Sequence, residues 1–263
     1  MSKKIYMRAQ AKPTAKERTK FWSFRAASEG IAELYLYGII ESGTWWGDEI
    51  TPQTFKRELD ELGDISTLNV FINSDGGDVF AGQAIHLMLK RHKAHVNVYV
   101  DGIAASIATV IAMAGDTVYM ASNSMMMIHS PWTGPVWGNA KQLRKIADDL
   151  DAAREGMLAA YQEKTGIDRD ELIELLEAET WFSAEKAIQL GFADEIEQKK
   201  QIAACFTNGQ LRINGLVMDL DRFQKLPSSL LAAKDDQEKN RDSSTKSLSL
   251  YEKRIKNMKH RRY

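Results

Sequence analysis

The stretch Asp101-Gly-Ile-Ala-Ala-Ser-Ile-Ala108 decides the fold of this chain, because it lies where a buried strand gives way to a helix. The preceding run Val96-Asn-Val-Tyr-Val100 is typical of a buried strand, and residues 104–114 carry apolar side chains at helical spacing. Ser106 is therefore predicted to lie in the first turn of a helix, where backbone N–H groups have no partner inside the helix.

A histidine that follows Ser106 indicates what this serine can do. His129 ends a second strand-like run, residues 125–129, and lies 23 residues beyond Ser106. A serine hydroxyl is a weak nucleophile at neutral pH, and it needs a base within hydrogen-bond reach and donors for the oxyanion. The small side chains of Ala104 and Ala105 let other backbone approach the serine closely. The simpler alternative is a serine that only caps a buried helix, which the local pattern does not exclude.

A pair of glycines follows another strand-like run. Leu68-Asn-Val-Phe-Ile72 leads into Asn73-Ser-Asp-Gly-Gly-Asp78, and an apolar helical face follows at Ala81, Ile85, Met88 and Leu89. Paired glycines permit positive φ angles and leave N–H groups free, which suits an oxyanion hole or an anion-binding nest. No Lys-Ser or Lys-Thr pair follows, so the pattern does not indicate a phosphate loop.

Five motifs occur in the order of one known enzyme family. They are Tyr35-Leu-Tyr-Gly-Ile-Ile, Phe71-Ile-Asn-Ser-Asp-Gly-Gly-Asp-Val-Phe-Ala-Gly, Asp101-Gly-Ile-Ala-Ala-Ser-Ile-Ala, Met127-Ile-His-Ser-Pro and Glu179-Thr-Trp-Phe-Ser-Ala-Glu-Lys-Ala-Ile-Gln-Leu-Gly-Phe-Ala-Asp. Over roughly residues 30–197 the chain resembles the proteolytic subunit of the Clp protease, ClpP, and most closely its phage and prophage relatives, the head maturation proteases. The resemblance implies an α/β fold with a ClpP/crotonase-like spiral core of repeated ββα units and a projecting handle helix.

The resemblance also implies roles for individual residues. Ser106 corresponds to the family's nucleophile and His129 to its base. The family's oxyanion donors correspond to the backbone N–H groups of Gly77 and Ile107. Glu179 lies four residues before the Ser-Ala pair, where the family has an aspartate, and is expected to be the third member of the triad. Neither a cofactor nor a metal ion is expected.

Two residues near this site depart from the family pattern. Glu179 is one methylene longer than aspartate, so the local backbone must compensate to keep a contact with the Nδ1–H of the histidine. Asp75 replaces the proline that the family commonly has before the two glycines, and it adds a negative charge near the oxyanion site. The competing carboxylates for the third triad position are Glu174, Glu177 and Asp194.

Composition restricts the class of protein. The 263 residues, 44% of them apolar, are enough for one core, and the net charge of −1 argues against whole-chain attraction to nucleic acid. A single cysteine, Cys205, excludes an internal disulfide framework and is compatible with a reducing cytoplasm. The sequence shows neither a secretory signal nor a run of about 20 apolar residues, so no membrane association is expected.

The chain is predicted to contain four parts. Residues 1–28 are basic and aperiodic and form an N-terminal arm, and residues 29–198 form the ClpP-like protease domain. Residues 199–226 form a hairpin appendage, because two short β-type runs flank the turn Asn208-Gly209. Residues 227–263 form a charged tail that is expected to be flexible. Its basic end can bind an acidic partner such as a scaffold protein or packaged DNA.

A long amphipathic helix is predicted at residues 139–164, with apolar side chains that include Leu143, Ile146 and Leu150. In the family the corresponding helix joins two seven-membered rings, so the resemblance implies a homo-oligomer of one or two heptameric rings. The preceding stretch Thr133-Gly-Pro-Val-Trp-Gly138 then borders the groove in which a substrate peptide adds as an extra strand.

Together these observations predict a serine endopeptidase that works through an acyl-enzyme, in the bacterial host cytoplasm or in the procapsid. The phage resemblance implies capsid or scaffold proteins as substrates. One alternative is a degradative Clp-type subunit fed by an ATPase unfoldase, and another is a catalytically weak, ring-forming capsid-assembly protein. Crotonase-type acyl-CoA enzymes share the spiral fold, but they do not need a serine–histidine pair.

Overall fold

The computed structural model describes residues 20–43, 51–197, 204–207, 210–213, 216–218 and 223–227. Within these residues an eight-stranded sheet with helices is followed by a smaller three-stranded sheet, so the predicted α/β architecture is confirmed. The elements in chain order are β1 Trp22–Ser28, β2 Ile31–Tyr37, α1 Pro52–Asp60, β3 Thr67–Ser74, α2 Val79–Lys90, β4 His95–Ala105, α3 Ile107–Ala112, β5 Thr117–Ala121, β6 Met125–Ile128, α4 Ala140–Thr165, α5 Arg169–Glu177, β7 Thr180–Ser183, α6 Ala184–Gln189, β8 Glu195–Glu197, β9 Ala204–Thr207, β10 Gln210–Ile213 and β11 Leu216–Met218.

The main sheet is mostly parallel. Its central path has the order β1-β2-β3-β4-β5-β8, on which the β1–β2 pair is antiparallel and the other pairs are parallel. Parallel neighbours cannot be joined by a tight turn, so α1, α2 and α3 serve as crossovers between them. Strand β1 falls within the predicted N-terminal arm, so that part of the arm belongs to the sheet.

Strand β4 is shared between the main sheet and a short branch. Its first half pairs with β3 and β5, whereas Ile103–Ala105 pair with β6, which in turn pairs with β7. The prediction of a helix from residue 104 is wrong, since the strand continues to Ala105 and α3 begins at Ile107. The fully buried side chains of Ala104 and Ala105 are small enough for close pairing with β6, and this tertiary pairing outweighs the helical spacing.

Several helix ends follow the predicted capping residues. Thr51 accepts a hydrogen bond from the N–H of Thr54 at 3.2 Å, and Pro52 occupies the first turn of α1. Ser183 caps α6 in the same way. Asp78, directly after the glycine pair, accepts from the N–H of Ala81 at 2.8 Å and begins α2. The glycine turn is thus held between the end of β3 and the capped start of α2.

Helix α4 is buried in its second half only. Met157, Leu158 and Tyr161 lie in the core, whereas Leu143 in the first half is 42% exposed. The helix predicted at residues 139–164 is confirmed, with Asn139 as its N-cap. The apolar side chains of the first half therefore find little cover within the described part of this chain.

The C-terminal strands β9, β10 and β11 form a small antiparallel sheet. β9 and β10 pair on either side of residues 208–209, as the Asn208-Gly209 turn predicts. Met218 of β11 is buried against Ile103, Ala105 and Met127 of the branch. The predicted tail lies outside the described residues from residue 228 onward, and the boundaries of the four parts stay predictions. No helix in the described ranges is long and apolar enough to cross a membrane.

Candidate active site

Ser106 occupies the sharp turn between β4 and α3. Its φ of 56° and ψ of −130° form a backbone conformation that residues other than glycine rarely adopt. Its N–H donates to the carbonyl of Met127 at 2.8 Å, and its own carbonyl accepts from the N–H of Thr109 at 2.9 Å. The Ser106 side chain makes no capping hydrogen bond to α3, so the simple capping role does not describe this serine. It lies just before the helix, not in its first turn.

His129 lies within hydrogen-bond distance of Ser106. The Nε2 atom of the imidazole is 2.8 Å from the Ser106 Oγ. The two residues meet because the strands that precede them pair, with Ala105 of β4 opposite Met127 of β6. When the imidazole proton is on Nδ1, Nε2 accepts from the serine hydroxyl and can take its proton.

The glycine pair packs directly against the serine. Gly76 and Gly77 have φ angles of 93° and 148°, and a Cβ at Gly76 would lie 2.7 Å from the Ser106 Cβ. A Cβ at Gly77 would lie 1.9 Å from the carbonyl oxygen of Ile40. The carbonyl of Gly76 accepts from the N–H of Ile40 at 2.8 Å, which fixes the turn against that segment. Only glycine fits at either position.

Two backbone N–H groups beside Ser106 are available as donors. Among the described residues, no hydrogen-bond acceptor is found for the N–H of Gly77 or for that of Ile107, the first residue of α3. Ile107 follows the serine in sequence, and Gly77 follows the glycine that contacts it. These are the two groups that the resemblance assigns to an oxyanion hole. Asp75 in the same turn is buried, with 1% of its surface exposed.

Glu179 directly precedes β7, the strand that pairs with β6. The last pair of the β6–β7 ladder is Ile128 with Thr180, and His129 and Glu179 are the next residues on the two chains beyond that pair. Glu179 is 7% exposed and has a φ of 49°, a positive value that is uncommon for glutamate. The backbone therefore departs from ordinary strand geometry at Glu179, the residue whose side chain is one methylene longer than the aspartate of the family.

The carboxylate of Glu179 accepts hydrogen bonds that the sequence analysis did not anticipate. The N–H of Gln224 donates to Oε2 at 2.8 Å, and the N–H of Lys225 donates to Oε1 at 2.7 Å. The indole N–H of Trp181 also donates to Oε1, at 3.4 Å. Backbone donors have no residue signature, and these two lie 45 and 46 residues from Glu179, so no sequence pattern could have identified them.

The competing carboxylates have other partners or face solvent. Asp194 accepts from the N–H of Val118 and from the Lys164 ammonium, both at 2.7 Å. Glu177 pairs with Arg154 at 3.5 Å, and Glu174 is exposed. Of the four acids considered from the sequence, Glu179 is the buried one, and it directly precedes the strand that pairs with β6.

A buried tyrosine connects α4 to the helix behind Ser106. The hydroxyl of Tyr161 lies 2.7 Å from the Thr109 Oγ1, which itself donates to the carbonyl of Ser106 at 2.6 Å. Burial raises the pKa of Tyr161 well above its usual range, so the phenol stays neutral and keeps its hydrogen bond. The spacing of Tyr161 in the helix indicates only a core position, and its contact with Thr109 links it to the turn at Ser106.

One comparison with known proteins bears on this site. A family model described as Clp protease matches residues 39–200. The match covers more than half of the chain, and it includes the glycine pair, Ser106, His129 and Glu179. Strand β1 and the C-terminal strands lie outside the matched residues.

Proposed function

The chain belongs to the Clp protease family, and from that premise we propose that it is a serine endopeptidase in which Ser106 is the nucleophile and His129 the base. The observation that supports the proposal most directly is the 2.8 Å contact between the Ser106 Oγ and the His129 Nε2. The strained turn directs the Ser106 hydroxyl toward the His129 imidazole. The hydroxyl makes no capping hydrogen bond to α3. A serine in this environment has the base that its chemistry requires.

The proposed mechanism follows from this geometry. His129 takes the proton of the Ser106 hydroxyl as Oγ attacks the carbonyl carbon of the peptide bond. The resulting oxyanion accepts hydrogen bonds from the N–H groups of Gly77 and Ile107, each of which typically contributes about 10²–10³ in kcat. His129 then passes its proton to the leaving amine, and the C–N bond breaks. A water deprotonated by His129 hydrolyses the acyl-enzyme and restores the serine.

Glu179 is proposed as the third member of the triad. Its position directly before β7, which pairs with the strand that leads to His129, and its burial support this role. A carboxylate beside the imidazole holds the proton on Nδ1 and stabilises the imidazolium that forms during attack.

The proposed substrates are phage capsid or scaffold proteins, processed in the host cytoplasm or in the procapsid. This part rests on the motifs that the chain shares with head maturation proteases. A second candidate function is that of a degradative subunit to which an ATPase unfoldase delivers substrates. A third is a ring-forming assembly protein of low activity, which the buried Asp75 beside the glycine pair favours, since a negative charge there opposes an oxyanion.

A fluorophosphonate probe tests the proposed nucleophile. The probe reacts only with a serine that its own active site activates, so the protein is expected to incorporate one label, on Ser106. Peptide mass mapping identifies the modified residue, and Ser66→Ala serves as a control because Ser66 precedes β3 at the opposite end of the parallel strands. An unlabelled wild-type protein would favour the assembly protein over the peptidase.

Assembly into rings is also proposed, because the described residues leave apolar side chains on and just before the first half of α4 partly exposed. Leu143 is 42% exposed, and just before the helix Trp132 and Trp137 are 52% and 91% exposed. A helix of 26 residues extends over about 39 Å at 1.5 Å per residue, which is far enough to dock on another subunit. Contiguous exposed apolar patches, as opposed to single exposed apolar side chains, mark interaction sites.

Charges placed on this surface are expected to dissociate the oligomer and to reduce activity together. The variant combines Ile146→Glu with Leu150→Lys, both half-buried positions on the first half of α4. The matched control exchanges the exposed ion pair on the same turns, Lys145→Glu with Asp149→Lys, and should leave assembly unchanged. Light scattering and peptide cleavage are measured at several protein concentrations, since activity that needs assembly depends on concentration. A fully active monomer at micromolar concentration would contradict the ring.

A further inference from the structure

The carboxylate of Glu179 is held by a segment outside the residues that match the Clp protease family model. Building on the function proposed above, we propose that residues 216–218 and 223–227, here called the C-terminal clamp, position Glu179 for its role as the acid of the proposed triad. The direct contacts are the N–H groups of Gln224 and Lys225, which donate to the two carboxylate oxygens at 2.8 and 2.7 Å. The clamp thereby contributes to the active site from beyond the protease domain.

Apolar contacts fix the clamp in place independently of the carboxylate. The ring of Phe223 packs edge-on against Trp181, with centroids 5.4 Å apart and an interplanar angle of 72°. Trp181 is two residues beyond Glu179 on β7, so this contact brings the following N–H groups to the acid. Met218 is fully buried in the same cluster. The two donors therefore reach Glu179 on a backbone that Met218 and Phe223 anchor on the preceding side.

The surface under the clamp belongs to the strands that present Ser106 and His129. Met218 packs against Ala105, which directly precedes Ser106, and against Met127, which lies two residues before His129. Loosening of the clamp would thus disturb the support of all three proposed triad residues. Its most direct effect is on Glu179, to which it is hydrogen-bonded.

The two hydrogen bonds suit a positioning role. A carboxylate that accepts backbone N–H groups is favoured in its ionised form and has a fixed orientation. It has about four lone-pair sites, so two amides and one imidazole N–H can be accommodated together. The positive φ of Glu179 persists only when its surroundings hold it there; its N–H donates to the carbonyl of Leu176 at 3.2 Å, and the clamp holds its carboxylate.

Amide exchange tests the contact without reference to activity. In the full chain with Ser106→Ala, the amides of residues 223–227 are expected to exchange at least about tenfold faster when Glu179→Ala is added, because a protected N–H loses its acceptor. Glu177→Ala is the control, since this neighbouring acid is exposed and pairs with Arg154 instead. Equal exchange with and without the Glu179 carboxylate would overturn the clamp.

Kinetics of full-length variants test the positioning role. Gln224→Pro removes one N–H donor, whereas Gln224→Ala keeps that donor and changes only an exposed side chain. Gln224→Pro is expected to lower kcat at least about tenfold with little change in KM, because peptide binding does not involve Glu179. The acid limb of kcat/KM should move to lower pH, since an imidazolium that loses its carboxylate neighbour has a lower pKa. Gln224→Ala should retain the wild-type profile.

A second variant tests the clamp independently in case Gln224→Pro does not fold. Phe223→Ala keeps both N–H donors but removes the ring contact with Trp181, so a smaller loss of kcat with the same direction of pH shift is expected. A wild-type kcat and pH profile in both variants, with an active wild-type enzyme, would overturn the clamp and leave the proposed peptidase intact. Higher activity in either variant would make the segment inhibitory and would also overturn the proposal. An inactive wild-type enzyme would refute the peptidase and the positioning role, whereas the exchange experiment would still decide whether the contact exists.

Discussion

Replacement of Ser106 by alanine is expected to abolish peptide cleavage while the fold and the assembly remain unchanged. The loss should reach about 10⁴-fold or more in kcat, because triad residues act as a unit and the oxyanion donors alone provide little turnover. The hydroxyl makes no capping bond to α3, so its removal should hardly affect stability. Cleavage of a capsid, scaffold or model peptide substrate is measured together with thermal unfolding and light scattering.

The controls for this experiment follow from the same geometry. His129→Ala should lose activity to a similar extent, since the serine then has no base within 2.8 Å. Ser66→Ala should keep full activity, because this serine hydrogen-bonds to the carbonyl of Gly30 at the far end of the strands. Undiminished cleavage by the Ser106→Ala protein would remove the proposed mechanism.

The second large effect is expected at Glu179. Glu179→Gln should lower kcat by up to about 10⁴-fold without unfolding the protein, because a neutral amide neither stabilises the imidazolium nor enforces the required tautomer. The exposed acids provide the comparison, since Glu174→Gln and Glu177→Gln should change activity by no more than about twofold, as surface substitutions usually do. Steady-state kinetics of the three variants decide the assignment.

Glutamine at this position also disturbs the C-terminal clamp, because its NH₂ group would face a backbone N–H that now donates to a carboxylate oxygen. The two effects separate when Glu179→Gln is compared with Gln224→Pro, which keeps the carboxylate ionised but removes one of the donors that position it. A larger loss in Glu179→Gln assigns the difference to the missing charge. An experimental structure with a different acid on the Nδ1 of His129 would refute the triad role of Glu179 and leave the Ser106–His129 pair unaffected.

Much of the fold was predictable because the secondary structure that the local sequence favours is the one found in the folded chain. The alternation of strand and helix, the caps Thr51 and Ser183, the long helix at residues 139–164 and the turn at Asn208-Gly209 depend on short stretches of sequence. Each is determined by hydrophobic period or by side-chain donors and acceptors a few residues apart. The closeness of Ser106 and His129 was also predictable, through a resemblance that covers both.

The boundary at Ser106 was not predictable from local pattern. Residues 104–114 have helical spacing, yet Ala104 and Ala105 belong to a strand because β6 pairs with them. That pairing depends on residues more than twenty positions away in sequence. It also places the serine in a turn with a φ of 56° instead of in the first turn of the helix. The conformation that directs the hydroxyl toward His129 is therefore a product of sheet formation.

By itself the sequence determined the fold class, and its resemblance to one family implied the candidate nucleophile, base and oxyanion glycine, because these lie within short motifs of recognisable residue types. Only the tertiary structure decided which of the candidate carboxylates is buried and what holds it. Glu179 is the buried one of the four, and its partners are the backbone N–H groups of Gln224 and Lys225. Every non-proline residue has such an N–H group, so its role depends on where the chain folds and not on which side chain it has.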